Sequence, residues 1–191
     1  MDDGDLSTPA DRQLVARALG IADEWAWMHQ VHGDGIATVD RPGPAGEADA
    51  LMTAVPGLPL AVRTADCVPV VMHSPEAVAV VHAGWRGLAS GVIGRAVAAM
   101  TQLAGTPTRA AIGPSIGPCC YEVGEEVTTA LGADASTTTW GTTSVDLWST
   151  AESQMPGVDV WRADLCTHCE TSFHSYRQSA TALRQTTVGW L

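Results

Sequence analysis

Two residues that could bind a metal ion flank a pair of short apolar runs near the middle of the chain. Cys67 comes directly before the apolar run 68–72, and His82 comes directly after the run 77–81. Short Val-rich runs separated by Ser74-Pro75-Glu76 are typical of two buried strands with a tight connection. If the strands are antiparallel neighbours, Cys67 and His82 lie at the same end of the hairpin. A thiolate and an imidazole on rigid strands predict a zinc or copper site.

The residues that follow His82 could bind an anion beside this metal site. The chain continues as Ala83-Gly84-Trp85-Arg86-Gly87, and the apolar residues then take helical spacing. A glycine-containing turn that leads into a helix offers backbone N–H groups and a favourable dipole to an anion. Arg86 adds a fixed positive charge. We therefore expect Gly84, Trp85, Arg86 and Gly87 to bind phosphate or a similar group.

The composition favours one globular domain that spans residues 1–191. A chain of 191 residues supports one substantial core, and 46% hydrophobic residues with 16% charged residues argue against disorder. No apolar stretch is long enough to cross a bilayer. Acidic residues follow Met1 in place of the basic and apolar regions of a signal peptide. The sequence therefore predicts a cytoplasmic protein.

The charge pattern excludes several partners and chemistries. The net charge is −11, and all 10 basic residues are Arg. Such an acidic surface disfavours nucleic acid and anionic lipid membranes as partners. The lack of Lys removes Schiff-base and Walker-type lysine chemistry. The 5 Cys, an odd number in a chain with no secretion signal, argue against a disulfide framework.

Strand and helix patterns alternate along the chain, which indicates an α/β or α+β fold. The first expected elements are a helix that begins at the Ser7-Thr8-Pro9 cap and ends at Gly20, a strand over 25–31, a continuation or hairpin partner over 36–39, a loop over 41–47 and a strand over 58–63. The later ones are a single helix over 88–103, a strand over 110–112, a helix over 124–131, a surface loop over 133–144, a helix over 147–155, and strands over 158–161 and 183–191.

Several short motifs together resemble the signatures of one family. They are, in chain order, Gln30-Val31-His32-Gly33, Ala48-Asp49-Ala50, residues 64–70, residues 82–87, residues 113–123, Cys166-Thr167 and Ser175-Tyr176-Arg177. In this order they are similar to the YfiH-type laccase-domain proteins, also described as purine nucleoside phosphorylases, polyphenol oxidase-like proteins and the peptidoglycan editing factor. The resemblance covers nearly the whole chain from His32 onward. It implies a YfiH-like fold with α/β/β/α layers and mixed β-sheets.

The resemblance also implies the metal ligands, which are His32, Cys67 and His82. Two His and one Cys leave the fourth position of a tetrahedral zinc open, which is the arrangement of catalytic zinc. Zn²⁺ is therefore the expected cofactor and copper the less favoured one. Asp66, next to a ligand, is expected either to orient the site, to act as acid or base, or to cap the turn before the strand.

The implied activity is phosphorolysis of purine nucleosides such as adenosine and inosine, with adenosine deamination as a second activity. Arg86 and Arg177 are the candidates for holding phosphate, and with Asp66 they form the expected catalytic set. The expected partners are purine nucleoside and phosphate, and the expected assembly is a monomer or weak homodimer.

Three alternatives to phosphorolysis stay open. The first is a zinc-binding protein with weak or no catalysis. Gly4-Asp5 resembles the family segment that follows an S-T-R-x-G-G motif, so this motif and its active-site Arg are expected to be missing from the sequence. The second is a copper-dependent polyphenol oxidase, although 6 His are few for multicopper chemistry. The third is a hydrolase that edits peptidoglycan precursors.

Four cysteines fall outside this ligand set. Cys166 and Cys169 form a C-x-x-C pair, which by spacing could be half of a zinc knuckle or a redox pair. Cys119 and Cys120 are adjacent, and adjacent side chains are expected to project in different directions. We therefore interpret all four as structural or supporting thiols and not as ligands of one ion.

Overall fold

Strands and helices alternate through the computed structural model, which describes residues 9–132 and 134–191. The strands are β1 (Ala26–His29), β2 (Ile36–Thr38), β3 (Gly43–Glu47), β4 (Ala50–Thr53), β5 (Leu60–Thr64), β6 (Val68–Ser74), β7 (Ala77–Ala83), β8 (Arg109–Ile112), β9 (Ser136–Thr137), β10 (Thr143–Ser144), β11 (Asp159–Arg162) and β12 (Gln185–Gly189). The helices are α1 (Pro9–Leu19), α2 (Trp85–Ala89), α3 (Val92–Ala104), α4 (Glu125–Leu131), α5 (Leu147–Ser153) and α6 (Tyr176–Ser179).

The predicted hairpin forms the centre of a six-stranded mixed sheet with the order β11-β8-β6-β7-β4-β2. β6 and β7 are antiparallel, and Pro69 lies opposite His82. Ser74 closes the turn, because its hydroxyl oxygen accepts the Ala77 N–H at 3.1 Å. Cys67 and His82 therefore lie at the same end of the hairpin, as the sequence predicts.

The second sheet has four strands in the order β12-β5-β1-β3, and two predictions near it are wrong. β2 is not a continuation or partner of β1; it pairs with β4 in the larger sheet. Residues 41–47, predicted as a loop, contain β3, which pairs in parallel with β1. Gly and Pro are tolerated in β3 because it is an edge strand, where ladder hydrogen bonds are needed on one side only.

The predicted helix over 88–103 is two helices. Gly91 has a φ of 76° and separates α2 from α3. Glycine adopts this left-handed conformation at little cost, so it ends one helix and lets the next start in a new direction. The segment predicted as a surface loop over 133–144 contains more structure than a loop in its described part, 134–144, because β9 and β10 form a short hairpin there. The predicted Ser7-Thr8 cap of α1 lies outside the described residues.

Two apolar cores define the layers. One lies between the two sheets and includes Leu60, Val62, Val78 and Val80. The other lies between the larger sheet and the helices and is the larger set; it includes Val68, Val70, Val81, Leu88, Ile93 and Met100. The Arg12 guanidinium of α1 lies 5.7 Å from the ring centre of Trp27, on the outer side of the smaller sheet. The predicted α/β/β/α arrangement with mixed sheets is confirmed.

Membrane insertion through a helix finds no support in the described residues, because none of their helices has the length and apolar character to cross a bilayer.

Candidate metal centre and active site

Three ligand atoms converge where the hairpin meets the loop after β1. One atom each from His32, Cys67 and His82 lies within 4.8 Å of the others. The two imidazole rings meet edge to face, with 4.7 Å between their centres. His82 is buried at the end of β7, Cys67 precedes β6, and His32 is exposed on the loop. The structure therefore brings the three sequence-predicted metal ligands together.

The carboxylate of Asp49 accepts hydrogen bonds from two of these ligands and so orients them. It is fully buried, and its Oδ1 accepts hydrogen bonds from His82 Nδ1 at 2.7 Å and from the His32 backbone N–H at 3.0 Å. Its Oδ2 accepts the Gly33 N–H at 2.6 Å. His32 has a φ of 59°, a conformation that costs free energy unless its surroundings hold it. Because His82 Nδ1 faces Asp49, Nε2 is the ring nitrogen that would bind a metal, and the metal would take the place of the proton on it.

The protonation states follow from this contact network. Burial works against the charged form of Cys67, but hydrogen bonds and positive charge from His32 and His82 outweigh it and lower the pKa of the thiol to about 6. Burial likewise works against charge on His82, and its bonds to Asp49 and Cys67 nevertheless raise its pKa to about 9. The same His82 contact and the amides of Gly33 and His32 overcome burial and lower the pKa of Asp49. Cys67 is thus a thiolate at neutral pH, the form that binds metals.

Two glycines let the segment after β7 pass close to the metal ligands. A Cβ at Gly84 would lie 3.1 Å from His32 Cδ2 and 3.2 Å from Cys67 Sγ. A Cβ at Gly87 would lie 2.9 Å from the Gly33 carbonyl oxygen. These contacts give both glycines a packing role. The predicted role of their amides in phosphate binding stays a prediction, and α2, with five residues, is too short for a substantial helix dipole.

A cavity of about 660 Å³ opens beside the three ligands. Four of the chain's arginines line it, and Asp66 is the one acidic residue among the described residues that do so. The arginines are Arg63, Arg86, Arg177 and Arg184. In a protein with a net charge of −11, this concentration of positive charge favours an anionic ligand.

Aromatic rings lie against two of these arginines. The guanidinium carbon of Arg86 is 4.3 Å from the ring centre of Trp85, and that of Arg177 is 4.9 Å from the ring centre of Tyr121. Both rings face the cavity, as does Tyr176. Burial is the main cause that raises the pKa of Tyr121 to about 12, so its hydroxyl stays protonated. Gly84 also lines this cavity.

Asp66 connects three segments of the chain. Its Oδ1 accepts a hydrogen bond from Thr167 Oγ1 at 2.7 Å, and its Oδ2 accepts the Arg177 N–H at 2.6 Å. Its backbone carbonyl accepts the Ile116 N–H at 2.9 Å. Asp66 has a φ of 90°, which these contacts hold in place. Of the three roles left open by the sequence, orientation of the site agrees best with these contacts.

Four residues of the site have no role predicted from the sequence: Asp49, Arg63, Tyr121 and Arg184. A signal for Asp49 was present, because an acid between two Ala residues at the start of an apolar run is buried and needs a partner. No comparable signal marks Arg63 or Arg184, since their place in the cavity depends on the pairing of β5 with β12.

The expectation that Cys119 and Cys120 project in different directions, on which the interpretation of the other four cysteines depends, is wrong. The Sγ atoms of Cys119, Cys120, Cys166 and Cys169 all lie within 4.8 Å of one another. The turn at 118–120 brings the adjacent pair to the C-x-x-C segment.

A His-Cys-His cluster beside an arginine-lined cavity, on α/β/β/α layers, defines a protein with a candidate metal-dependent active site. The chain belongs to the family described as multi-copper polyphenol oxidoreductase laccase, whose sequence profile matches residues 1–191. This agrees with the YfiH-type family that the motifs indicate.

Curated relatives and a solved structure are similar to this chain over most of its length. The chain is 38% identical over 197 residues to "Purine nucleoside phosphorylase SCO2081" of Streptomyces coelicolor, which covers 95% of this chain and 81% of that protein. It is 39% identical over 183 residues to a purine nucleoside phosphorylase of Deinococcus radiodurans, covering 89% and 71%. The fold matches Bacillus licheniformis hypothetical protein YfiH with a TM-score of 0.86 and 29% identity, covering 96% of this chain and 80% of that one.

Proposed function

We propose that this protein is a zinc-dependent purine nucleoside phosphorylase that accepts adenosine, inosine and related nucleosides. The observation that carries the proposal is the cavity in which four arginines adjoin the His-Cys-His cluster of a strongly acidic protein. Phosphorolysis needs an anion held against the anomeric carbon of a sugar, and this cavity offers positive charge where a metal could also lie. The purine nucleoside is inferred from the relatives, which are purine nucleoside phosphorylases by name.

The donor set fits zinc. Two imidazoles and a thiolate are zinc ligands, and three protein ligands leave one position open. Asp49 holds His82 in the orientation that presents Nε2. When bound, zinc would supply a Lewis acid at the edge of the cavity. The multicopper alternative is weaker, because of all the described histidines only His32 and His82 converge with a cysteine in a three-ligand cluster.

Arg86 and Arg177 are the proposed phosphate-binding side chains. Both are exposed to the cavity and both stack on aromatic rings, which restricts the guanidinium planes before phosphate arrives. Asp66 fixes the backbone of Arg177. A guanidinium binds phosphate through two parallel hydrogen bonds, so these residues would set the orientation of the anion as well as its affinity.

The purine base would lie against the aromatic side of the same cavity. Trp85, Tyr121 and Tyr176 offer flat apolar surface there, and about 660 Å³ is enough for a nucleoside with phosphate. In the reaction, a phosphate oxygen forms a bond to the anomeric carbon while the carbon–nitrogen bond to the purine breaks. The purine nitrogen keeps the electron pair and takes up a proton from solvent, which enters the open cavity.

The test is chromatography of inosine or adenosine reactions with and without phosphate. We expect phosphate-dependent release of hypoxanthine or adenine by the wild type and by His73→Ala, whose exposed imidazole lies on the same hairpin away from the cluster. We expect at least a roughly hundredfold slower release by His82→Ala, because removing one group that stabilises charge in a transition state commonly costs that much. Chelation and zinc re-addition to the wild type controls for misfolding.

The alternatives give other chromatograms. No base from any sample at high enzyme concentration would favour a zinc protein without catalysis. Base release that is independent of phosphate would indicate a nucleoside hydrolase. The proposed adenosine deaminase side activity would appear in the same runs as inosine formed from adenosine.

A further inference from the structure

The second thiol-rich site of the molecule lies apart from the three-ligand centre. Cys119, Cys120, Cys166 and Cys169 place all four Sγ atoms within 4.8 Å of one another. The Sγ of Cys169 is 3.8 Å from that of Cys119 and 3.4 Å from that of Cys120. All four thiols are free in the structure. We call these residues the thiol cluster.

Two distant segments meet at the thiol cluster through backbone pairing. Ser115 forms a parallel bridge with Cys166. The Ser115 N–H donates to the Leu165 carbonyl at 3.2 Å, and the Thr167 N–H donates to the Ser115 carbonyl at 3.1 Å. Backbone hydrogen bonds between these two segments therefore fix the positions from which the cysteine side chains extend.

We propose that the thiol cluster binds one structural zinc ion through four cysteine thiolates. Zinc–sulfur bonds of about 2.3 Å in a tetrahedron place the sulfurs about 3.8 Å apart, close to the separations seen here. Four soft sulfur ligands in this geometry select zinc or iron over harder cations. A complete set of four protein ligands leaves no open position, which distinguishes a structural site from the three-ligand centre.

Backbone amides favour a negative charge on one sulfur of the thiol cluster, that of Cys166. The Gly117 N–H donates to Cys166 Sγ at 3.2 Å. Burial works against the thiolate of Cys166, but this amide and those of Cys169 and His168 outweigh burial and lower the pKa of the thiol. Hydrogen bonds of this kind favour the thiolate form. Cys169 is exposed, so an ion can reach the site from solvent.

The position of the thiol cluster gives the ion a function in the active site. Tyr121 follows the adjacent cysteines, and Thr167 follows Cys166. Thr167 and the Arg177 amide both donate to Asp66, and Arg177 also donates to the Glu122 carbonyl at 2.6 Å. An ion at the cluster would therefore tie together the two segments that form one wall of the cavity.

The first test is the zinc content of purified protein, measured by elemental analysis without any activity assay. Wild type should hold about one zinc per chain more than Cys169→Ser, whatever the occupancy of the other site. Glu170→Gln, an exposed neighbour outside the cluster, should match the wild type. Equal zinc in wild type and Cys169→Ser would overturn the proposal, as would iron in place of zinc.

The second test covers the case in which a cysteine variant fails to fold. Reduced, metal-free wild type and His82→Ala are titrated with cobalt(II), and each should develop the absorption of a tetrahedral tetrathiolate site. In His82→Ala, in which the three-ligand centre is disrupted, thiol titration should show that zinc protects the four cysteines of the thiol cluster and that a chelator makes them reactive again. A mass two hydrogens below the reduced value in freshly purified protein would mean a disulfide and would overturn the proposal. Failure of the phosphorylase assay would leave these results unchanged, so the two proposals are tested separately.

Discussion

The most connected side chain of the candidate site is Asp49, which itself would not touch a metal. It holds the ring of His82 and the backbone of His32 and Gly33 with one buried carboxylate. A buried carboxylate is costly without partners, and here each oxygen has them. The geometry of two proposed ligands thus depends on a residue in the layer behind them.

Asp49→Asn should weaken zinc binding by about 10- to 100-fold, the usual effect of losing a group that orients a ligand histidine. The amide cannot accept from all of the present donors, so His82 loses its fixed ring orientation. Competition with a chromophoric chelator measures the affinity. The matched control is Asp34→Asn, a half-exposed carboxylate that pairs with Arg95 at 3.5 Å, which should bind zinc as the wild type does. An unchanged affinity in folded Asp49→Asn would refute the orienting role.

Arg86→Lys should raise the phosphate KM roughly tenfold and leave the nucleoside KM nearly unchanged, because a hydrogen bond to a charged group contributes about 1.5–3 kcal/mol. Lysine keeps the charge but replaces a two-pronged donor with a single ammonium group. Steady-state kinetics with each substrate varied in turn makes the measurement, and Arg95→Lys on α3 is the control. Equal increases in both KM values would mean that Arg86 has only a structural role.

At the scale of the elements, the parts that the sequence predicts well are those with a strong local pattern. The β6–β7 hairpin and the apolar face of α3 follow from Val-rich runs and helical spacing. β3 does not follow from the sequence, because a Gly- and Pro-rich segment predicts a loop. Only its place at the edge of the sheet, which the sequence does not reveal, makes a strand compatible with these residues. The predicted pairing of β2 with β1 is wrong, because the sheet that a strand joins depends on long-range contacts that local periodicity does not contain.

The same distinction applies to the candidate sites. The three proposed metal ligands stand in recognisable motifs, and the structure brings them together. The thiol cluster does not follow from the sequence, because the adjacency of Cys119 and Cys120 suggests diverging side chains. The turn at 118–120 and the bridge to Cys166 determine where the sulfurs point. Such loop geometry cannot be read from spacing alone.

Close packing of the two sheets gives a prediction at this scale. A Cβ at Gly189 in β12 would lie 2.9 Å from Val71 Cγ1 and 3.1 Å from Val80 Cγ1. Gly189→Ala should therefore lower the free energy of unfolding by about 1–3 kcal/mol through overpacking. Denaturant unfolding measures it. Gly94→Ala is the control, since its Cβ meets only ordinary contact at 3.8 Å in α3 and should be neutral or stabilising. A Gly189→Ala protein as stable as wild type would mean that the sheets can separate at little cost.

At the scale of the whole molecule, charge is distributed unevenly. The chain carries a net charge of −11, yet four of its 10 basic residues line one cavity. An acidic surface repels anions in general, while the arginines attract them locally to the cavity mouth. This arrangement places the positive charge where a small anion could bind.

The most direct test of the proposed function is the identity of the sugar product. Phosphorus-31 NMR of inosine and phosphate incubated with zinc-loaded protein should show a ribose 1-phosphate signal that grows in step with hypoxanthine. Phosphorolysis requires this equality, because the phosphate oxygen takes the place of the purine nitrogen on the anomeric carbon. Hypoxanthine formed with free ribose and no ribose 1-phosphate would contradict the account, as would a spectrum that shows phosphate alone after prolonged incubation.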